Sequence, residues 1–237
     1  MLNKKGSGML LLLFSIGLFI VIAALFTESL NPDSEINKFS KDFGVVQTEI
    51  INSYYSAESS LFLSDQLVRY SIYKTTNEFG ENGGYSKDNL CEKKDEFVVI
   101  DFKDCNPDLN ANYIELFKKH FEKEVKTLEL SDNYLIGELD EVKYEKKEEN
   151  LEVSYNVPNK FKQDVLLDLK FLNELKNRIN SCIERKQDLK GCVGVDFAEK
   201  DGYAFFTIEN DKNGLMILED EVVTIKKPVF KFAVKND

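Results

Sequence analysis

Residues 35–80 read EINKFSKDFGVVQTEIINSYYSAESSLFLSDQLVRYSIYKTTNEFG. Ile36, Phe39, Phe43, Val46, Ile50, Tyr54, Ala57, Leu61, Ser64, Val68, Ile72, Thr75 and Phe79 recur there at steps of three and four. The mean step is about 3.6 residues, the period of a straight helix with one apolar stripe. Gly80-Glu81-Asn82-Gly83-Gly84 ends the pattern, because glycine accepts the left-handed conformation that closes a helix. Upstream, Pro32 in Asn31-Pro32-Asp33-Ser34-Glu35 blocks helix continuation, and Asp33 or Ser34 can cap a new start. Unbroken, this helix is ~70 Å long. Its stripe needs cover, from the rest of its own chain or from another copy.

Working outward toward the N-terminus, Met9 to Phe26 reads MLLLLFSIGLFIVIAALF without one charge. As a helix it spans ~27 Å, near the hydrocarbon thickness of a bilayer. Lys4 and Lys5 precede it, and Glu28, Asp33 and Glu35 follow. The positive-inside rule then leaves the N-terminus cytoplasmic and sends the remainder across. The rival reading is a secretory signal cut near Val21, Ala23 and Ala24. The length of the apolar run, which continues past those alanines, favours a retained anchor. A buried core helix is the weakest option, since a helix apolar on every face needs a larger protein around it. The expected organisation is a leader and transmembrane anchor at 1–30, a long amphipathic stalk at 31–84, and an extracytoplasmic head at 85–237.

Toward the C-terminus the head reads as shorter elements. Phe97 to Phe102 (FVVIDF) is a strand candidate. Asn106-Pro107 opens a helix expected to reach Leu128, with Tyr113, Phe117, Phe121 and Val125 on one side. Tyr134–Tyr144 and Asn150–Val157 are expected strands around the charged turn 145–149. After Pro158 a second helix is expected over Phe161–Glu184, with Phe161, Val165, Leu169, Leu172, Leu175, Ile179 and Cys182 as its stripe. Tyr203–Glu209 is expected to pair with Gly214–Leu218 across Asn213-Gly214, and Val229–Val234 is a last strand. The fold class is α+β: an N-terminal transmembrane helix, a long amphipathic helix, and a head of antiparallel strands packed with two further helices.

The four cysteines fall as local pairs, Cys91 with Cys105 and Cys182 with Cys192. Two disulfides with that pairing are expected among three connectivities, each stabilising by ~3 kcal/mol. Disulfides persist in oxidising compartments, in agreement with the anchor's orientation. Two alternatives stand beside them: zinc, which the spacing and the lone His120 disfavour, and free thiols.

Of 237 residues, 43% are hydrophobic and 12% aromatic, enough for a packed core. The net charge of -11 repels nucleic acid and anionic headgroups, so no nucleic-acid partner is expected. No nucleophile, metalloprotease, phosphate-loop or dinucleotide motif is present, and no catalytic, cofactor-binding or metal residue is assigned. His120 follows two lysines on a helix and reads as solvated or half-buried. The runs Glu138-Leu139-Asp140-Glu141, Glu148-Glu149 and Glu219-Asp220-Glu221 read as solvated surface in so acidic a chain. Residues 209–214 touch on a calcium loop but lack its terminal glutamate, and a turn is the better reading.

Lys4-Lys5-Gly6 running into an apolar helix, then into a long amphipathic one, resembles the N-terminus of archaeal type IV pilin-like proteins. That resemblance implies cleavage after the glycine and bundling of the hydrophobic helices. Leu11 stands where such pilins place a glutamate, and Pro32 interrupts the continuous pilin helix. Tyr70-Ser71-Ile72-Tyr73, Asn82-Gly83-Gly84, the Cys91/Cys105 loop ending in Asn106-Pro107, and the Cys182/Cys192 pair are similar to uncharacterised membrane-anchored surface proteins of small-genome archaea. So are Gly202-Tyr203-Ala204-Phe205-Phe206 and Phe230-Lys231-Phe232-Ala233. The likeness implies a cell-surface setting and no particular activity. The sequence therefore leads to a non-enzymatic surface protein without cofactors, held in the bilayer through residues 9–26. Its expected partners are copies of itself or other surface proteins. The alternative is an extracytoplasmic binding module for a peptide, glycan or cation, working through the loops of the head.

Overall fold

The computed structural model describes residues 15–23, 35–86, 91–131, 133–148, 151–210, 214–219 and 222–236. In chain order they contain α1 (15–23), α2 (Glu35–Glu81), β1 (Lys93–Lys94), β2 (Phe97–Ile100), α3 (Leu109–His120), β3 (Thr127–Ser131), β4 (Tyr134–Glu138), β5 (Val142–Glu148) and β6 (Leu151–Val157). There follow β7 (Lys160–Asp164), α4 (Leu169–Glu184), α5 (Leu189–Val193), β8 (Ala198–Lys200), β9 (Tyr203–Glu209), β10 (Leu215–Glu219), β11 (Val222–Lys226) and β12 (Val229–Lys235). The fold is α+β. Two compact units are present: Met1–Ala57 with Lys143–Tyr155, and Glu58–Val142 with Asn156–Asp237.

In the first unit, α1 is exposed along its described length, with Ile16, Phe19 and Ile20 facing out. The expected span Met9–Phe26 lies in part outside the described residues. Among the described residues no helix is long and apolar enough to cross a membrane. The β5–β6 hairpin belongs to this unit and alternates with period two. Tyr144, Lys146, Val153 and Tyr155 are half-buried, while Lys143, Glu145, Lys147, Glu152 and Ser154 face solvent. Tyr155 meets Tyr54 of α2 edge-on at 5.9 Å.

The second unit holds the main core. Its central sheet runs β1-β2-β12-β9-β8. β12 pairs antiparallel with β9 over seven residues and parallel with β2 through Ala233 and Val234. This parallel pair departs from the all-antiparallel expectation. Phe206 and Phe232, directly opposite in register, stack at 4.8 Å and are both fully buried. Each such side chain contributes about 1.5–3 kcal/mol of burial. Val68, Ile72 and Phe79 of α2, Tyr113 and Phe117 of α3, and Leu172, Leu175 and Ile179 of α4 complete the core against that sheet. A second antiparallel sheet, β3-β4-β7, contributes Leu135 and Phe161.

The predicted long helix stands at Glu35–Glu81 and stops as its sequence indicates. Gly84 N–H donates to the Phe79 carbonyl at 2.9 Å and Gly83 N–H to the Gly80 carbonyl at 3.4 Å, with Gly83 at φ 61°. These two bonds form a Schellman closure around a left-handed glycine. Gly80 has its own reason: a Cβ there would run into the carbonyl oxygen of Val229 at the start of β12.

Several expected elements are corrected. The helix after Pro107 ends at His120, not Leu128, because the chain turns extended at Phe121 and Thr127–Ser131 pairs with β4. Its start is set by Asp108, whose Oδ1 accepts from the amides of Asn110 and Ala111 at 3.1 Å each. The strand expected over Tyr134–Tyr144 is two strands in different sheets, broken between Glu138 and Val142. Phe161–Asp164 is strand β7, not helix. Phe161 sits opposite Gly137 with its ring over the glycine, and the helix begins only after its cap at Asp168. Tyr203–Glu209 does not pair with 214–218. β9 takes β12, and β10 pairs with β11 in register Leu215↔Lys226 to Glu219↔Val222. The expected Asn213-Gly214 turn lies in part outside the described residues. Among the described residues three further helices, where two are expected, follow α2; the additional one, α5, carries Cys192.

Candidate functional site

Both cysteine pairs are disulfides, Cys91–Cys105 and Cys182–Cys192, as their spacing predicts. Asp101 organises the first loop: its Oδ1 accepts the amides of Lys103, Asp104 and Cys105 at 2.8–2.9 Å. Those bonds, led by the one from Cys105, hold its carboxyl below the ordinary range.

His120 lies half-buried at the end of α3, with Nε2 2.7 Å from Glu78 Oε2 on α2. Lys119 reaches the other oxygen at 2.7 Å. Burial pushes the Glu78 carboxyl up, and the hydrogen bonds and charge of Lys119 and His120 outweigh it, so the group is held below the ordinary carboxylate range. The cluster ties α3 to α2. In the first acidic run Glu138 pairs with Lys160 and Asp140 with Lys126, while residues 149, 220 and 221 of the other runs lie outside the described residues. Among the described residues no three His, Cys, Asp or Glu side chains are arranged to hold a metal ion.

A concave surface of the second unit lies around the start of α4. Asp168 caps the helix, its Oδ1 accepting from Phe171 N–H at 2.9 Å and from Asn133 Nδ2 at 3.0 Å. Asn133, at φ 65°, returns a bond by accepting Lys170 N–H at 3.4 Å. On the near side of this junction is a cleft of about 350 Å³, lined by Tyr134, Asp164, Asp168, Phe171, Ile208, Glu209 and Asn210 among others. On the far side is a second of about 310 Å³, lined by Asn110, Asn173, Glu174, Asn177 and Lys170. Asn133 walls both.

The first cleft's walls are fixed by their own hydrogen bonds. Asp164 Oδ1 accepts Leu166 N–H at 2.9 Å, and Asn210 Nδ2 donates to the Leu166 carbonyl at 2.7 Å. Leu166 is thereby held at φ 65°, a conformation that costs a bulky residue of order 1–3 kcal/mol. Lys162 Nζ lies 4.4 Å over the Tyr134 ring, and Glu209 pairs with Lys227 at 3.5 Å. The cleft thus presents oxygen acceptors, amide donors and aromatic edges on a rigid frame. Its parts come from three separate loops, and no linear motif announces them.

A second surface of interest is α2 itself. From Ala57 onward the predicted stripe is buried at Ala57, Ser64, Val68, Ile72, Thr75 and Phe79. Before Ala57, among the described side chains, Val46 is half-buried, Phe43, Ile50 and Tyr54 are each more than half exposed, and Ile51 and Tyr55 beside them are 66% and 73% exposed.

No protein family, no curated protein and no solved structure matches this chain.

Proposed function

We propose that this is a non-enzymatic cell-surface protein, anchored through Met9–Phe26 with its remaining residues outside the cytoplasm, that assembles with copies of itself along the first half of α2. The observation that carries this reading is the exposed apolar face at Phe43, Ile50, Ile51, Tyr54 and Tyr55. Contiguous exposed apolar surface is a mark of an interaction site. Its charge makes a second copy the fitting partner. From Gly44 to Ala57 the helix carries one charged residue, Glu49, and that residue is paired with Lys146 at 2.7 Å. In a chain of net charge -11, a neutral face lets copies approach without the repulsion of their acidic surfaces. The two disulfides and the charge asymmetry around the apolar segment support an oxidising, extracytoplasmic setting. Sedimentation of the full chain in detergent tests the assembly. The wild type is expected as an oligomer and Ile51→Glu/Tyr55→Glu as a folded monomer; a monomeric wild type would refute the reading.

A second reading, an extracytoplasmic binding module, is favoured by the paired clefts at Asn133, which combine aromatics and carboxylates on the described surface of the second unit.

A further inference from the structure

We infer that the two clefts at Asn133 act as one site for a neutral polyhydroxylated chain, an oligosaccharide long enough to occupy both. The inference rests on the binding-module reading and names its ligand class. Three observations point the same way.

The first is the mix of hydrogen-bonding groups. Asn110, Asn133, Asn173 and Asn177 line the second cleft, and Asn133 and Asn210 the first. An amide offers two donors and two acceptor lone pairs in one plane, which exceeds the bonds Asn133 makes to Asp168 and Lys170 and Asn173 makes to Asn110, and a carboxylate adds acceptors only. Vicinal hydroxyls, each both donor and acceptor, are satisfied by that combination; a bare cation has no use for the donors, and a polyanion none for the carboxylates.

The second is that the acidic charge of the first cleft is already engaged. Asp164 and Asp168 accept backbone amides, Asp168 also accepts Asn133, and Glu209 has Lys227. These carboxylates are positioned acceptors, not an open cation cage. The third is the aromatic wall: Phe171 and Tyr134, whose ring also carries Lys162 Nζ at 4.4 Å, line the first cleft, and aromatic carbon there suits the C–H groups of a sugar. Each cleft lies near the lower end of the ~300–1,000 Å³ range of small-molecule sites, room for roughly one or two sugar rings. With Asn133 common to both, the chain that fills them runs past the N-terminus of α4.

Titration calorimetry on the full chain, in a detergent without a sugar headgroup, decides it. The probes are mannohexaose, cellohexaose and chitohexaose, their monosaccharides, and hexalysine. At least one hexasaccharide is expected to bind, with its monosaccharide at least about tenfold weaker. Tyr134→Ala in one cleft and Asn177→Ala in the other should each weaken the hexasaccharide about tenfold. Both variants are expected to melt with the parent, since Tyr134 and Asn177 are exposed. Hexalysine binding that Tyr134→Ala abolishes, with no saccharide bound, would overturn the saccharide assignment and leave the binding module standing. Silence from every probe would overturn both. Saccharide binding untouched by either substitution would place the ligand elsewhere and overturn this site.

Discussion

Lys146 Nζ lies 2.7 Å from Glu49 Oε1, joining the β5–β6 hairpin to α2 at the single charged residue between Gly44 and Ala57. Glu49 is 15% exposed at its side chain, so the contact is more sheltered than an ordinary surface pair. Its consequence is a helix segment without net charge, next to exposed Ile50, Ile51, Tyr54 and Tyr55. Lys146→Ala leaves that carboxylate without its cation and is expected to cost about 1 kcal/mol. Hydrogen exchange should show the loss as faster exchange confined to 43–57 and 143–155; unchanged rates there would mean the pair holds nothing.

The close approach of Gly80 to the Val229 carbonyl makes a different prediction. Gly80→Ala raises helix propensity, yet its methyl has no room, so the clash decides the sign. Destabilisation of about 1–3 kcal/mol is expected in urea unfolding, as for other overpacked sites. A stabilised variant would show that β12 is free to move away from α2.

Glu78 sets a pH dependence. Burial raises its pKa, but hydrogen bonds and charge from Lys119 and His120 outweigh that and lower it from its ordinary value. A carboxyl with a depressed folded pKa contributes stability that is complete above its unfolded value and lost as pH falls through the folded one. Glu78→Gln should therefore melt below the parent by a few degrees at neutral pH, and the two should converge in acid below the lowered value. Parallel melting curves at every pH would contradict the assignment.

The disulfides differ in what lies beneath them. Replacing Cys91 and Cys105 by alanine opens a loop of sequence separation 14 and should cost about 3 kcal/mol. Replacing Cys182 and Cys192 opens a shorter one, of separation 10, but Cys182 is fully buried in the core. The second pair is expected to cost more than the first, by the added cavity. Thermal denaturation of the two double variants ranks them, and the reverse order would remove Cys182 from the packing argument.

Local signals carried part of this fold. The helix at Glu35–Glu81 is legible because one period holds across all its turns and a glycine closure stops it. Local cysteine spacing likewise led to the observed disulfides. The region after Pro158 misled for a physical reason. Phe161, Val165 and Leu169 are four apart, as on a helix, but Phe161 is claimed by a strand partner at Gly137, distant in sequence. Asp168, a good capping residue, was the local mark of the true start. Asn-Gly at 213–214 drew the hairpin one strand too early, since Leu215–Glu219 pairs forward with Val222–Lys226 instead. The clefts at Asn133 were not legible at all. Asn133, Asp168 and Asn210 meet only after three loops are brought together.

The most direct test of assembly through α2 places a photo-crosslinking amino acid at Tyr55 of the full chain in intact cells. Tyr55 is the most exposed aromatic of the neutral segment, at 73%. Irradiation should yield a product of twice the chain mass, with the attachment mapped to residues 43–57 of a second copy. A product with a different protein, or only unlinked chain, would contradict self-assembly along this helix.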